Sequence, residues 1–289
     1  MRVLSKIDKK LPNLVIFGGT GFVGSNLIRK LVDKHQLNEK FNIIIPSTKS
    51  SFDHVKYTKN VHYCGKISIF EPLSFNEVIN LKNNKFIIHS IGTFNNDLAY
   101  KNLVKNVSIF QSIPIFIKNF VTKSLNNQHQ KNDINFIKYN YTTLQKLLEA
   151  LKDKNKNKPK LMYLSANKSC ITDMDYIKSK RMAENLLKME EISKKLEKSI
   201  IYRPGVMFTD HYKNKFDFFI KNMIFNKDSV SIRDVMSLLI SNNLVVNRDE
   251  YFTNVDKLTD KIISDIIQES EAKNEKYEVE IVDKTKFLK

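Results

Sequence analysis

The sequence predicts an α/β protein built on a Rossmann-type, doubly wound parallel sheet, with a small, mainly helical C-terminal lobe. Short apolar runs typical of buried strands alternate with helical patterns from residue 13 to residue 208. A cluster of glycines directly follows the first of these runs and opens the first helical pattern. The 289 residues, 42% of them hydrophobic, suffice for one large core and a smaller additional lobe.

Each element is predicted from its local pattern. Short, mostly apolar runs predict strands at residues 14–17, 42–45, 61–64, 86–91, 160–165 and 199–203. Apolar residues that recur every three or four positions predict helices at residues 22–34, 72–81, 139–151 and 176–196. Strand and helix thus follow each other as they do in a parallel sheet covered on both faces.

Composition divides the chain into three parts. Residues 1–12 form a basic N-terminal segment that resembles a short targeting sequence. Residues 13–210 form the predicted Rossmann domain, with an insertion at about 97–138 that breaks the alternation. Residues 211–289 form the predicted C-terminal lobe for a substrate or partner, with helical patterns at 216–225, 233–240 and 254–267.

Charge and residue usage exclude several classes of site. The net charge is +17, but no basic block alternates with aromatic residues, so no nucleic-acid partner is expected. No stretch approaches the roughly 20 apolar residues that span a bilayer. The two cysteines and six histidines match no metal-ligand spacing, so no metal site is expected.

The glycine cluster predicts a phosphate-binding turn. A glycine at the start permits a tight turn, a second lets the main chain approach a pyrophosphate, and a third lets helix pack on strand. The partial positive charge at the helix N-terminus then favours the phosphates. The residues predicted to contact the nucleotide here are Gly18, Gly19, Thr20, Gly21, Phe22 and Gly24.

The second strand bears on the choice between NAD and NADP. In many Rossmann proteins an acidic residue about 20 positions after the glycines binds the ribose hydroxyls of NAD. Residues 45–50 contain no acid, and Lys49 could instead meet the 2′-phosphate of NADP, although it could equally be an ordinary surface lysine. Four further residues complete the predicted nucleotide site: Ser90, Gly92, Lys180 and Pro204.

A tyrosine and a lysine predict general acid–base catalysis. Tyr176 and Lys180 lie four positions apart and share one face of a predicted helix. A nearby ammonium favours the phenolate form of a tyrosine, which suits a general acid or base. Ser165, at the end of the fifth predicted strand, is expected to hydrogen-bond a substrate carbonyl or hydroxyl.

These motifs together resemble the extended and atypical short-chain dehydrogenases/reductases. The segments that carry the resemblance lie within about residues 13–215 and read VIFGGTGFVGSNL, IIHSIGT, YLSANKS, DYIKSKRMAENLL and IIYRPGVMF. They are most similar to the fungal mitochondrial reductases of coenzyme Q biosynthesis. That resemblance implies NADP or NAD as cofactor and a place in the mitochondrial matrix, peripheral to the inner membrane. It also implies other coenzyme Q synthesis proteins as partners, with a prenylated quinone intermediate as candidate substrate.

Three functions remain open at this point. The chain could be an accessory oxidoreductase of coenzyme Q synthesis, a non-catalytic nucleotide-binding scaffold of that assembly or of complex I type, or a nucleotide-sugar epimerase or dehydratase. The segments 109–121 and 216–225 are apolar, which favours an apolar pocket or a membrane-contacting surface over a sugar-nucleotide pocket. The alternative is that both segments are part of the hydrophobic core.

Overall fold

Seven strands of the protein form one parallel sheet. The structure is a computed structural model, and it describes residues 5, 7–50, 58–93, 136–152, 158–167, 174–208, 252–272 and 276–283. In chain order its strands are β1 (Asn13–Phe17), β2 (Asn42–Pro46), β3 (Val61–Cys64), β4 (Asn84–His89), β5 (Lys160–Leu164), β6 (Lys198–Arg203), β7 (Val206–Phe208), β8 (Phe252–Asn254) and β9 (Glu278–Asp283). The sheet has the order β3-β2-β1-β4-β5-β6-β9, while β7 pairs with β8 separately. The predicted doubly wound fold is confirmed.

Helices cover both faces of the sheet. Within the described ranges they are α1 (Phe22–Arg29), α2 (Pro72–Ile79), α3 (Thr143–Ala150), α4 (Met174–Leu187) and α5 (Val255–Glu271). Along β1, Leu14 and Ile16 pack on the side of α1 and α5, and Val15 and Phe17 pack on the side of α2, α3 and α4. Alternate residues of a strand point to opposite faces, so two apolar cores sandwich the sheet.

Two predicted helices contain wider turns. A π-helical turn (Lys30–Lys34) continues α1, and a second (Ile137–Thr142) leads into α3. The predicted helix 176–196 is wrong in its second half, because the main chain becomes extended at Met189 before a short 3₁₀ turn at Glu190–Lys194. The first four strands and their bounds agree with the sequence patterns to within two residues.

Elements assigned by sequence to the C-terminal lobe lie on the main sheet. β9 pairs with β6 along its whole length and adds a seventh strand. Helix α5 packs against α1, where the ammonium of Lys30 lies 3.3 Å from the carboxylate of Asp256 and 2.9 Å from that of Asp260. Helical propensity predicted α5 but could not show which surface it covers. The segments 109–121, 216–225 and 233–240 lie outside the described residues.

A buried asparagine ladder ties the segment before β1 to the sheet. Asn42 donates to the side-chain oxygen of Asn13 at 3.0 Å, and Asn13 donates to that of Asn84 at 3.1 Å. Asn42 also donates to the main-chain oxygens of Asp8 and Leu11, at 2.8 and 3.2 Å. The described part of the basic segment 1–12 therefore belongs to the folded domain, because it completes the bonding of these buried amides. A targeting role for residues 1–12 stays a prediction.

Two kinds of feature are absent from the described ranges: a helix that could span a membrane and a cluster of metal ligands. No helix in them combines the length and apolar character needed to cross a bilayer. They likewise contain no group of three or more His, Cys, Asp or Glu side chains arranged to hold a metal ion.

Candidate functional site

The candidate site lies where the carboxyl ends of β1, β4 and β5 meet, the edge at which parallel sheets of this kind bind ligands. Gly18 ends β1 with a positive φ of +84°, a conformation that side chains rarely adopt. A Cβ atom at Gly18 would lie 2.7 Å from the hydroxyl oxygen of Ser90, and one at Gly24 would lie 2.3 Å from the carbonyl oxygen of Gly18. These two glycines therefore permit the tight crossing from β1 into α1.

The two middle glycines of the turn differ in what surrounds them. A Cβ at Gly19 would lie 2.7 Å from the side chain of Ile45, so Gly19 packs inward. A Cβ at Gly21 would meet only the carbonyl oxygen of Gly18, at 3.1 Å, and Gly21 and Phe22 are exposed. Among the described residues, no side chain caps the N-terminus of α1. Its first main-chain amides thus face the open side of the turn, as anion binding requires.

Two further predicted nucleotide contacts lie near this turn. The hydroxyl of Ser90 donates to the carbonyl oxygen of Phe17 at 2.8 Å, which holds the end of β4 against the end of β1. Lys49 follows β2 with an exposed side chain, and its carbonyl oxygen accepts a hydrogen bond from the hydroxyl of Tyr63 at 2.8 Å. The main chain of Lys49 is therefore held while its ammonium reaches into solvent at the ligand-binding edge.

Lys180 is the most buried member of the predicted catalytic set. Lys180 is 3% exposed, and its ammonium donates to the carbonyl oxygen of Leu164 at 2.9 Å and lies 5.2 Å from the ring centre of Tyr163. Burial lowers the pKa of Lys180 to about 7, against the opposing effect of the Glu184 carboxylate. A lysine in this setting can change its charge near neutral pH.

Gly92 lies close to the ammonium of Lys180 and to the side chain of Asn140. A Cβ at Gly92 would lie 2.9 Å from Nζ of Lys180 and 2.8 Å from the side-chain oxygen of Asn140. Asn140 lies in the π-helical turn before α3, accepts from the amide of Thr93 at 2.9 Å and donates to the hydroxyl of Ser179 at 3.0 Å. The structure thus places Gly92 close to Lys180, beside an asparagine that carried no motif signal in the sequence.

Tyr176 and Pro204 are also buried beside this region. The ring of Tyr176 lies one helical turn before Lys180 on α4 and packs 5.8 Å from the ring of Phe136. Pro204 follows β6, and its carbonyl oxygen accepts from the amide of Asn167 at 2.6 Å. This hydrogen bond holds the segment that follows β5 against Pro204, next to α4.

Ser165 is engaged by a buried carboxylate. Its hydroxyl donates to Glu184 at 2.5 Å and accepts from the guanidinium of Arg181 at 3.3 Å. Glu184 also forms ion pairs with Arg181 and with Arg203, the latter at 2.5 Å. Burial would raise the pKa of Glu184, but hydrogen bonds from Arg203 and Ser165 and the charges of both arginines lower it. The predicted contact between Ser165 and a substrate would have to compete with these bonds.

Three buried polar residues near this site had no role predicted from sequence: His89, Asn140 and Glu184. Each falls in a segment assigned only to a strand or helix, and each finds its neighbours on another element. An isolated polar residue on an apolar face was the only available signal, and it indicates burial without naming a partner.

Comparison with known proteins agrees with the fold. The chain is 26% identical over 216 residues to "MIOREX complex component 2" of Saccharomyces cerevisiae, which covers 70% of this chain and 74% of the relative. It is similar in structure to the UDP-Glc/GlcNAc 4-epimerase of Campylobacter jejuni, with a TM-score of 0.54, 12% identity and coverage of 94% of this chain and 78% of the epimerase. No protein-family model matches the chain.

A second structure extends the comparison. A short chain dehydrogenase family protein from Francisella tularensis has a TM-score of 0.53 and 10% identity, and the match covers 96% of this chain and 100% of that protein. The chain therefore has the Rossmann-type fold of short-chain dehydrogenases and epimerases, as the sequence resemblance implied.

Proposed function

We propose that the protein is an NAD(P)-binding, oxidoreductase-like component of a mitochondrial protein assembly that acts in coenzyme Q (ubiquinone) synthesis. The observation that carries the nucleotide-binding part is the open turn at the N-terminus of α1, on the same sheet edge as Lys180. The first main-chain amides of α1, beginning at Phe22, would bind the pyrophosphate. The amide of Gly21 itself donates to the carbonyl oxygen of Gly18, and among the described residues no other atom lies close to the open side of Gly21.

The residues around Lys180 fit the other half of a dinucleotide. An ammonium with a pKa of about 7 can hold the ribose hydroxyls by hydrogen bonds, and a residue larger than Gly92 would press on it. A bound nicotinamide would supply or accept a hydride. Tyr176, one turn earlier on α4, would exchange a proton with the substrate oxygen, and Lys180 would favour its phenolate form.

The mitochondrial part of the proposal has two supports. The segments from Tyr163 to Phe208 resemble the fungal coenzyme Q reductases, and the yeast relative is named as a component of a complex. The partners would be other coenzyme Q synthesis proteins on the matrix side of the inner membrane. The substrate class would be a prenylated quinone intermediate.

One observation favours a second candidate, a non-catalytic nucleotide-binding scaffold of the same assembly. Ser165 is 2% exposed, and its hydroxyl, which a reductase would use to orient its substrate, donates a hydrogen bond to Glu184. A protein that retains the nucleotide site for stability would tolerate this arrangement.

Nucleotide binding is tested by Gly21→Asp. The new carboxylate would lie where the phosphates are expected, so the affinity should fall by about tenfold or more in calorimetric titration with NAD(H) and NADP(H). The matched control is Gly21→Ala, which adds a Cβ without charge and should weaken binding less. If neither nucleotide binds the wild type, or if Gly21→Asp binds as well as the wild type, the proposal fails.

Nucleotide choice is tested by Lys49→Glu. We expect the wild type to prefer NADP(H), because a charge-assisted bond to the 2′-phosphate contributes about 1.5–3 kcal/mol, roughly ten- to a hundredfold in affinity. The variant should reverse that preference. Competition binding with both nucleotides measures it, and equal wild-type affinities for the two would contradict the role of Lys49.

A further inference from the structure

Ser165 directly follows β5, and its hydroxyl proton is held by a buried carboxylate. The hydroxyl oxygen lies 2.5 Å from Oε1 of Glu184, a residue that is 1% exposed. A serine hydroxyl has one proton and two lone pairs, whereas an ionised carboxylate can only accept hydrogen bonds. Ser165 is therefore the donor in this pair, and the pair uses its only proton.

Two arginines keep Glu184 ionised. Arg203 donates to both carboxylate oxygens of Glu184, at 3.0 Å from Nε and 2.5 Å from a terminal nitrogen, and Arg181 forms an ion pair with the same carboxylate. Burial acts to raise the pKa of Glu184, but the hydrogen bonds from Arg203 and Ser165 and the charges of both arginines hold it below its ordinary value. Near neutral pH, Glu184 therefore has no proton to return to Ser165.

The oxygen of Ser165 keeps a lone pair for a further partner. One lone pair accepts from the guanidinium of Arg181 at 3.3 Å, which is long for a hydrogen bond from nitrogen. Within the described ranges no other donor reaches this oxygen. The amide of Ser165 donates to the carbonyl oxygen of Tyr202 at 2.8 Å, so the main chain that carries the hydroxyl is fixed. A group that forms a hydrogen bond with this hydroxyl therefore has to be a donor.

Ser165 lies next to both proposed catalytic side chains along β5. The carbonyl oxygen of the preceding residue, Leu164, accepts from Lys180 at 2.9 Å. The side chain of the following residue, Ala166, packs in one apolar cluster with Tyr176. A substrate oxygen that exchanges a proton with Tyr176 would thus lie beside the segment that carries the Ser165 hydroxyl.

We propose that Glu184 is a positioning residue for Ser165: by holding the serine proton, it makes the site select a substrate hydroxyl, which donates, over a substrate carbonyl, which only accepts. A carbonyl would place two acceptor oxygens together with no proton between them. Because Ser165 is 2% exposed, solvent does not relieve that contact, and an unmatched buried acceptor is costly.

The sequence left two substrate groups open for Ser165, a carbonyl and a hydroxyl, and the bond to Glu184 favours the hydroxyl. The substrate class is then an alcohol or a phenol, which for a quinone intermediate means a form whose ring carries hydroxyl groups. This assignment rests on the proposed function in taking Ser165, Tyr176 and Lys180 as the substrate site.

The first test locates the proton of Ser165 in the protein without ligand. A hydroxyl that donates to a carboxylate at 2.5 Å should give a slowly exchanging ¹H resonance, far downfield of ordinary serine hydroxyls. Ser165→Ala should remove this resonance, and Glu184→Gln should move it upfield, because a neutral amide oxygen is a weaker acceptor. A wild-type spectrum without such a resonance, or a resonance that survives in Ser165→Ala, would overturn the proposal.

A matched control distinguishes this proton from that of another buried serine. Ser199 on β6 is 0% exposed, and its hydroxyl is hydrogen-bonded to the phenol of Tyr277 at 2.8 Å rather than to a carboxylate. Ser199→Ala should therefore keep the downfield resonance. Loss of the resonance in folded Ser199→Ala would contradict its assignment to Ser165.

The second test compares the binding of ubiquinone-1 and ubiquinol-1. The two probes have nearly the same shape, but the ring carbonyls of the quinone only accept, whereas the hydroxyls of the quinol also donate. Titrations without nucleotide and without oxygen prevent hydride transfer and oxidation of the quinol. The wild type should bind ubiquinol-1 about tenfold more tightly, the usual contribution of one hydrogen bond. Ser165→Ala should bring this ratio close to one, and Ser199→Ala should preserve it.

The outcomes of the second test separate this proposal from nucleotide binding. Equal wild-type affinities, tighter binding of ubiquinone-1, or no binding of either probe would refute the selection of a hydroxyl. An unchanged ratio in folded Ser165→Ala would refute the role of Ser165. If Glu184→Gln does not fold, Ser165→Ala and the proton measurement still decide. Nucleotide affinity is measured separately through Gly21→Asp, so equal affinities for the two probes with normal nucleotide binding overturn this proposal alone.

Discussion

Replacement of Glu184 by glutamine is expected to lower the free energy of unfolding by about 3 kcal/mol, the lower end of the range for a broken buried ion pair. Glu184 is 1% exposed and balances Arg181 and Arg203, and it accepts the hydroxyl bond of Ser165. Glutamine keeps the shape but removes the charge, and its amide group would face the guanidinium groups. We expect the lower end of the range because the side chains of Arg181 and Arg203 are 32% and 21% exposed. Water can therefore solvate the two guanidinium groups once the carboxylate is removed.

Urea unfolding at several pH values measures this effect. The pKa of Glu184 is held below its ordinary value of 4.5, so its stabilising contribution is complete above about pH 4.5 and is lost as the pH falls through the lowered pKa. The difference between wild type and Glu184→Gln should therefore be largest near neutral pH and shrink in acid. The exposed Glu190, just after α4, provides the control: Glu190→Gln should change stability little. Equal stabilities of wild type and Glu184→Gln at pH 7 would contradict the assigned role.

Tyr176→Phe is expected to lower turnover by about 10²–10⁴-fold, the usual contribution of general acid–base catalysis. The substitution removes only the hydroxyl, and the ring can keep its packing against Phe136. Fold and nucleotide affinity should therefore be preserved. In cells that lack the protein, the variant should fail to restore quinone levels, and prenylated intermediates measured by lipid extraction should accumulate.

The same experiment separates the enzyme from the scaffold. The control is Tyr141→Phe, which removes the hydroxyl of a partly buried tyrosine in the turn before α3 and should restore quinone levels fully. If Tyr176→Phe and the double variant Tyr176→Phe/Lys180→Ala both restore quinone levels, the proposed catalytic role is refuted. The alternative, a non-catalytic scaffold, is then supported. Wild-type protein that does not alter quinone intermediates at all would instead argue against the coenzyme Q assignment.

Local sequence patterns predicted much of the fold because strands and helices differ in apolar period. The run from Lys160 to Leu164 and the glycines after β1 each carry their signal within a few residues. The local pattern could not place β9, because the largely alternating segment Glu278–Asp283 is compatible with a strand at any sheet edge. Only its pairing with β6 assigns it to the main sheet.

The candidate site likewise has features that the sequence predicts and features that only the tertiary structure shows. The sequence by itself determined the glycine turn between β1 and α1 and the Tyr176–Lys180 spacing, since both are set within one strand-to-helix crossing or one helical turn. The tertiary structure alone decided that Ser165 meets Glu184 and that Lys180 is buried against Leu164 and Tyr163. The physical reason is that the charge state and hydrogen bonding of a buried group depend on neighbours from other elements, and a single sequence does not show which surfaces meet.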